Sequence, residues 1–245
     1  MFLHGQPGGG VQWHGVSLAL GDDVEVLAPD RPGYGHSPLP GGGIAANVDW
    51  LLGVLDTDNH PPTLVVGHSW AGAVALEVAR CRPDAVRGLI LLASVGPGAL
   101  NWLDRVLAAP VLGEALTRPM FRFGDPFLRR VVAREVRESL RAELLASMDA
   151  NRQRHAWRTF VTEQKSLVAD LPAVLEELSA IQTPTLVVAG TRDRVVPFST
   201  ARRLREALPA AELVAVEGGG HDLNRSHPEV VAQAVRRLLA ETSRQ

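Results

Sequence analysis

Short β-branched runs alternating with stretches of helical periodicity predict an α/β protein built on a mostly parallel, doubly wound sheet. Three observations carry that prediction. Thr63–Val66, Val86–Ala93 and Pro184–Gly190 are apolar at nearly every position, as strands buried on both faces are. Helix formers follow, as in Ala71–Arg80. The rhythm then breaks between about Gly96 and Ile181, where no convincing strand occurs. A core of residues 1–95 and 182–245, carrying an inserted helical cap at 96–181, is therefore expected.

In chain order, Met1–Leu3 lead into the glycine-rich loop His4–Gly10, and Val11–Leu20 reads as a helix. Clustered glycines let backbone amides approach a ligand, although a flexible turn is their commoner meaning. Val24–Ala28 reads as a second short strand, punctuated by the loop Pro29–Ser37. Ile44–Leu55 has helical periodicity. Inside the cap, Phe127–Met148 and Asn151–Val168 read as helices, with Arg and Glu alternating along the first as a solvated face. After the strand at Pro184–Gly190 come a helix at Phe198–Leu208, a last strand at Glu212–Val216 and a closing helix opened by Pro228. Ligands of such sheets sit at the carboxyl ends of the strands, where every loop of interest here falls.

Composition narrows the function. A length of 245 residues suits one domain with an insertion. The net charge of −2 gives no reason to expect a nucleic-acid partner. The single Cys81, placed by its helix as buried filler, can form no internal disulfide. No cysteine–histidine cluster suggests a metal, and no cofactor is called for. No apolar run is long enough to span a bilayer, and the N-terminus lacks signal-peptide features, so the cytoplasm is the default expectation. Oligomeric state is not legible.

The stretch Thr63–Gly72 concentrates the chemistry. A strand turning directly into a helix leaves little room, and Gly67 and Ala71 flank Ser69 with small side chains. The hydroxyl would be pushed out above the strand end, with helix-start N–H groups beside it. The motif departs from G-x-S-x-G, because Ala71 holds the fifth position and the glycine comes one later. A surface serine capping a helix is the competing structural explanation. Asp193 and His221 follow in the order Ser, Asp, His, each just after an expected strand. A serine hydroxyl needs a base to take its proton, and an imidazole needs a carboxylate to hold its tautomer. His4 and His68 adjoin the site in positional roles, while Asp30 is expected to brace loops.

On the His4–Gly8 loop, Asp30–Gly35, the Ser69 elbow, Gly190–Pro197 and Gly220-His221, the chain resembles the α/β-hydrolase superfamily over essentially its whole length. That resemblance implies the α/β-hydrolase fold with Ser69 as nucleophile, His221 as general base and acid, and Asp193 as its orienting carboxylate. It also implies an oxyanion hole formed by the backbone N–H groups of Gln6 and Trp70. Haloalkane dehalogenases and epoxide hydrolases of the superfamily place an aspartate where this chain has Ser69. Superfamily members usually carry two strands and the start of a third before the His-Gly loop, and here only Met1–Leu3 precede it. The N-terminal strands are therefore expected to be missing or shortened, with Met1–Leu3 as a stub or with the true start upstream.

Interleaved through the cap are Trp102, Phe121, Phe123, Trp157 and Phe160, which either pack the helical layer or line a substrate pocket. The activity expected is hydrolysis of an ester or related acyl bond through an acyl-enzyme. Carbon–carbon bond hydrolysis of a diketone and cofactor-free haloperoxidase-like chemistry use the same residues. A non-catalytic ligand-binding receptor on this fold is the alternative of another class.

Overall fold

The computed structural model describes residues 1–56, 61–135, 138–153 and 155–243; the side chains of 123–128, 130–135 and 138–140 lie outside that description. Among the described residues, five strands form one sheet, all pairs parallel: β1 (Phe2–Leu3), β2 (Thr63–His68), β3 (Val86–Leu92), β4 (Thr185–Gly190) and β5 (Ala211–Val216). They lie side by side in chain order. Alternate residues of the middle strands feed opposite layers, so both faces are buried. Val65, Leu89, Leu91 and Val187 pack under α2 (Ile44–Asp56), α3 (Ala71–Cys81) and α8 (Phe198–Ala207). Leu64, Val66, Ile90, Leu92 and Val188 pack under α1 (His14–Leu20) and α9 (Pro228–Thr242), through Val16, Leu20, Val231 and Val235. Burial of each such side chain is worth about 1.5–3 kcal/mol.

The N-terminal edge corrects one expectation. Met1–Leu3 do make a stub strand: the Met1 amine donates to the Leu64 carbonyl at 2.9 Å, and Val66 N–H to the Met1 carbonyl at 2.9 Å. Val24–Ala28, expected as a strand, is extended chain without a ladder. Its recorded tie to the sheet is Phe2 N–H donating to the Leu27 carbonyl at 2.7 Å. A two-residue neighbour offers too short an edge for a regular strand to build on. Cys81 is also corrected, since it is exposed at the last turn of α3, beyond that helix's apolar face and beside Glu77.

Among the described residues, four α-helices lie between β3 and β4: α4 (Trp102–Ala108), α5 (Leu112–Glu135), α6 (Glu138–Gln153) and α7 (Ala156–Glu176). Their boundaries differ from the periodicity reading. The expected helix over 127–148 spans residues 136–137, outside the described residues, with α5 on one side and α6 on the other. The expected helix over 151–168 is divided, because α6 ends at Gln153 and His155 takes a left-handed conformation (φ 56°) before α7 starts. Local periodicity runs smoothly across such a turn and cannot reveal it. The helix α7 docks on the core, with Leu167, Leu171 and Val174 in the α2–α3 layer and Ser166 Oγ accepting from Ile44 N–H at 2.8 Å. Among the described residues, no helix is long and apolar enough to cross a membrane.

Candidate active site

Strand β2 ends at His68 and α3 starts at Ala71, so the chain turns on Ser69 and Trp70. Ser69 has φ 55°, a left-handed conformation disfavoured for any residue with a Cβ. Its backbone holds the turn by hydrogen bonds: Ser69 N–H donates to Leu92 O (3.0 Å), while Gly72 and Val95 N–H donate to Ser69 O (3.0 and 3.2 Å). At Gly67 an added Cβ would meet Ala71 O at 2.8 Å and Gly72 Cα at 2.9 Å. At Gly72 it would meet Ser94 Oγ at 1.8 Å. This explains the departure from G-x-S-x-G: the crowded position on the helix side is Gly72, and Ala71 fits fully buried. Sequence spacing did not single out Gly72, because Ser94, which crowds it, arrives from the end of β3.

Three loops bring the polar residues together. His221 Nε2 lies 2.9 Å from Ser69 Oγ, and His221 Nδ1 lies 2.8 Å from Asp193 Oδ2. The other carboxylate oxygen of Asp193 accepts from Val195 N–H (2.8 Å) and Val196 N–H (2.9 Å). The loops after β4 and β5 are clamped by Thr191 N–H to Val216 O (3.0 Å) and Arg192 N–H to Gly219 O (2.9 Å). Gly190 permits this approach, since a Cβ there would lie 2.3 Å from Gly219 O. With Nδ1–H donating to the carboxylate, Nε2 is left as acceptor facing the hydroxyl, the arrangement needed to take its proton.

The His4-Gly5 loop passes directly over this turn, for a Cβ on Gly5 would meet Ser69 Cβ at 3.0 Å. Among the described residues, the Gln6 and Trp70 backbone N–H groups donate to no protein acceptor. His4 is fully buried, and its Nε2 accepts from Arg31 N–H (2.9 Å), so the ring proton is on Nδ1 and donates to Gly5 O (2.8 Å). Burial, aided by the Arg31 charge, holds His4 well below the ordinary histidine value. His68 is pushed down to about 4 by burial and then by His221; its Nε2 faces the His221 carbonyl at 3.3 Å. Asp30 ties loops together, accepting from Gly10 N–H (2.7 Å) and His36 N–H (2.8 Å). Among the described histidines, only His221 hydrogen-bonds Ser69.

Two residues beside the site were not singled out from sequence. Arg31 is fully buried and Glu163, on α7, is equally buried against it. Burial pushes the Glu163 carboxyl upward, with Arg31 and the Tyr34 hydroxyl opposing. Arg31 was legible only as part of Asp-Arg-Pro-Gly, and Glu163 is 132 positions away. The aromatics nominated on the inserted helices are dispersed. Trp102 is 74% exposed at the start of α4. Phe121 and Phe160 meet edge-to-face at 5.7 Å, and the Trp157 ring carries the Arg158 guanidinium at 5.3 Å. The Phe123 side chain lies outside the described residues. A cavity of about 260 Å³ lined by Trp13, His14, Ser17, Val26 and Glu143 includes none of the expected site residues.

A parallel sheet with helices on both faces, a helical insertion and a serine on a strained strand–helix turn are the marks of the α/β-hydrolase fold. The chain belongs to the alpha/beta hydrolase family, whose model matches residues 1–234. It is 30% identical over 223 residues to the 2-hydroxymuconate semialdehyde hydrolase of Pseudomonas putida, covering 88% of this chain and 77% of that protein. It is 32% identical over 257 residues to the dihydrolipoyllysine-residue acetyltransferase component of the acetoin cleaving system of Pseudomonas putida. That match takes in 98% of this chain but only 62% of the relative's length. The haloalkane dehalogenase DbeA of Bradyrhizobium elkani has a similar fold, with TM-score 0.77 at 24% identity, 99% of this chain and 89% of that one being covered. The family whose model matches is one of hydrolases, and the first of these relatives is named as one.

Proposed function

We propose that this protein is a serine hydrolase that cleaves an ester or related acyl bond of a small molecule. The observation that carries the reading is the continuous hydrogen-bonded line from Ser69 Oγ through His221 to Asp193, at 2.9 and 2.8 Å. Ser69 would attack the carbonyl carbon as its proton passes to His221 Nε2. The oxyanion would point at the free amides of Gln6 and Trp70, donors of a kind worth about 3–4 kcal/mol each at the transition state. His221 would return the proton to the leaving alcohol, leaving an acyl group on Ser69. Water, deprotonated by His221, would then attack the acyl carbon, release the acid and restore the serine. These steps ask for no metal or cofactor. Phe121, Phe160 and Trp157 are the proposed cap contribution to substrate binding, supported by Phe160 lying one turn from Glu163 on α7.

A second reading keeps the same three residues and cleaves a carbon–carbon bond of a diketone. It is favoured by the relative named for 2-hydroxymuconate semialdehyde, a compound whose name contains no ester. Fluorophosphonate labelling, with the modified peptide mapped by mass spectrometry, tests the shared chemistry. Labelling at Ser69 that is lost in Ser69→Ala and in His221→Ala is the expected result. An unlabelled but folded protein would refute the serine-hydrolase reading and favour a binding-only member of the fold. Turnover of simple esters against diketones then separates the two chemistries.

A further inference from the structure

The Arg31 guanidinium is completely committed. Its Nε–H donates to His4 O (2.7 Å), Nη1 donates to Asn47 Oδ1 (3.0 Å) and to Glu163 Oε1, and Nη2 donates to Gly5 O (3.1 Å) and Glu163 Oε2 (3.4 Å). Five N–H groups meet five acceptors, which is the full capacity of the side chain. Its Cζ lies over the rings of Trp70 (4.7 Å) and Tyr34 (5.1 Å), and the Tyr34 hydroxyl donates to Glu163 Oε2 (2.7 Å). Such a buried ion pair is a weak source of stability, since well-packed apolar residues serve as well or better. What it supplies is direction.

The direction falls on the proposed oxyanion donors. Gly5 O, held by both Arg31 Nη2 and His4 Nδ1, belongs to the same planar peptide unit as Gln6 N–H. Carbonyl and N–H point opposite ways across a trans peptide, so clamping one end aims the other. Two donors on the carbonyl also polarise the unit and strengthen its N–H as a donor. The second donor, Trp70 N–H, belongs to a residue whose indole Nε1–H donates to the Glu163 backbone carbonyl at 3.1 Å. One residue of the inserted helices therefore holds both, through its carboxylate and its carbonyl.

We propose that Arg31 and Glu163 are positioning residues, and that docking of α7 on the core through this pair sets the orientation of the Gln6 and Trp70 amides. The proposal rests on the serine-hydrolase reading and names what assembles its oxyanion hole. It makes the inserted helices a part of catalysis and not merely a cover over the substrate.

The test compares an oxoester with the matching thionoester, whose sulfur is a poor hydrogen-bond acceptor and gains little from an oxyanion hole. In Arg31→Leu/Glu163→Met both charges go and apolar volume replaces them, so no buried charge is left unpaired. The oxoester kcat should fall about tenfold to a hundredfold, less than outright loss of a donor, with KM little changed. The thionoester rate should hold, so the oxo-to-thiono ratio collapses. Glu163→Gln, which keeps the shape of the carboxyl group, should lower the ratio less and decides the matter if the double variant does not fold. A folded variant that keeps the wild-type ratio would overturn the positioning role. Wild-type protein that neither labels at Ser69 nor hydrolyses the oxoester would overturn the hydrolase reading itself, and the positioning role with it.

Discussion

Replacing Asp193 with asparagine tests the tautomer logic at its narrowest point. The introduced side chain would retain the shape of the aspartate but must choose which way its amide faces. Oδ1 of Asp193 accepts two backbone N–H groups, from Val195 and Val196, so the amide oxygen has to stay there. The flipped orientation would turn the NH₂ group toward both donors and leave the more buried of them, Val196 N–H, without an acceptor, at about 1–3 kcal/mol. With only 1% of the Asp193 side chain exposed, water cannot repair the loss. The amide NH₂ is thereby forced toward His221 Nδ1, which must become an acceptor. The ring proton then moves to Nε2, against Ser69 Oγ, where a base is needed. A drop in kcat of about 10⁴-fold is expected, the loss that this inversion causes in a Ser-His-Asp triad, equivalent to about 5 kcal/mol of barrier. Ester turnover under saturating substrate measures it, with thermal unfolding as the control. A folded Asp193→Asn variant within tenfold of wild type would refute the reasoning.

Two further expectations follow from packing and from burial. Gly72→Ala places a methyl group 1.8 Å from Ser94 Oγ, so despite the better helix propensity of alanine it should destabilise by about 1–3 kcal/mol. Ser94→Gly in the same chain should recover part of the melting temperature, and a Gly72→Ala protein as stable as wild type would show that the elbow is not tightly packed. His68, held at about 4 in the folded protein against an ordinary 6.5, is neutral while the unfolded chain binds a proton. Its contribution is present above the unfolded value and is lost as pH falls from 6.5 toward about 4, with His4 acting in the same direction. Calorimetry from pH 7 to 4.5 should show a steadily falling melting temperature, and a flat profile would contradict the neutral burial of both rings.

The middle strands and the elbow were legible because their information is local. Consecutive apolar β-branched residues specify a strand buried on both faces, and small residues around Ser69 specify a tight turn. Asp193 and His221 could be picked out by type, order and position at strand ends, without any distance between them. Val24–Ala28 has the composition of a strand, but whether a strand forms depends on its neighbour, and β1 is only two residues long. The break at His155 and the exposure of Cys81 likewise depend on where the chain is next required to pack. The aromatics nominated on the inserted helices show the same limit. Hydrophobicity nominated Trp102 and Phe160 equally, yet one is 74% exposed and the other 7%.

The α/β class, the sheet buried on both faces, the run of helices between β3 and β4 and the chemical types at the strand ends can all be read along the chain. Those properties follow from short-range sterics and from the period of the apolar pattern. Long-range packing sets the rest: Ser94 crowds Gly72, Asp193 faces His221 with one oxygen while two amides hold the other, and Glu163 reaches Arg31. Each is a contact between segments far apart in the chain, and the geometry of such a contact is set by the packing of whole layers. A buried charge has no local signature of its partner; the cost of desolvation demands one, and the fold determines which residue supplies it.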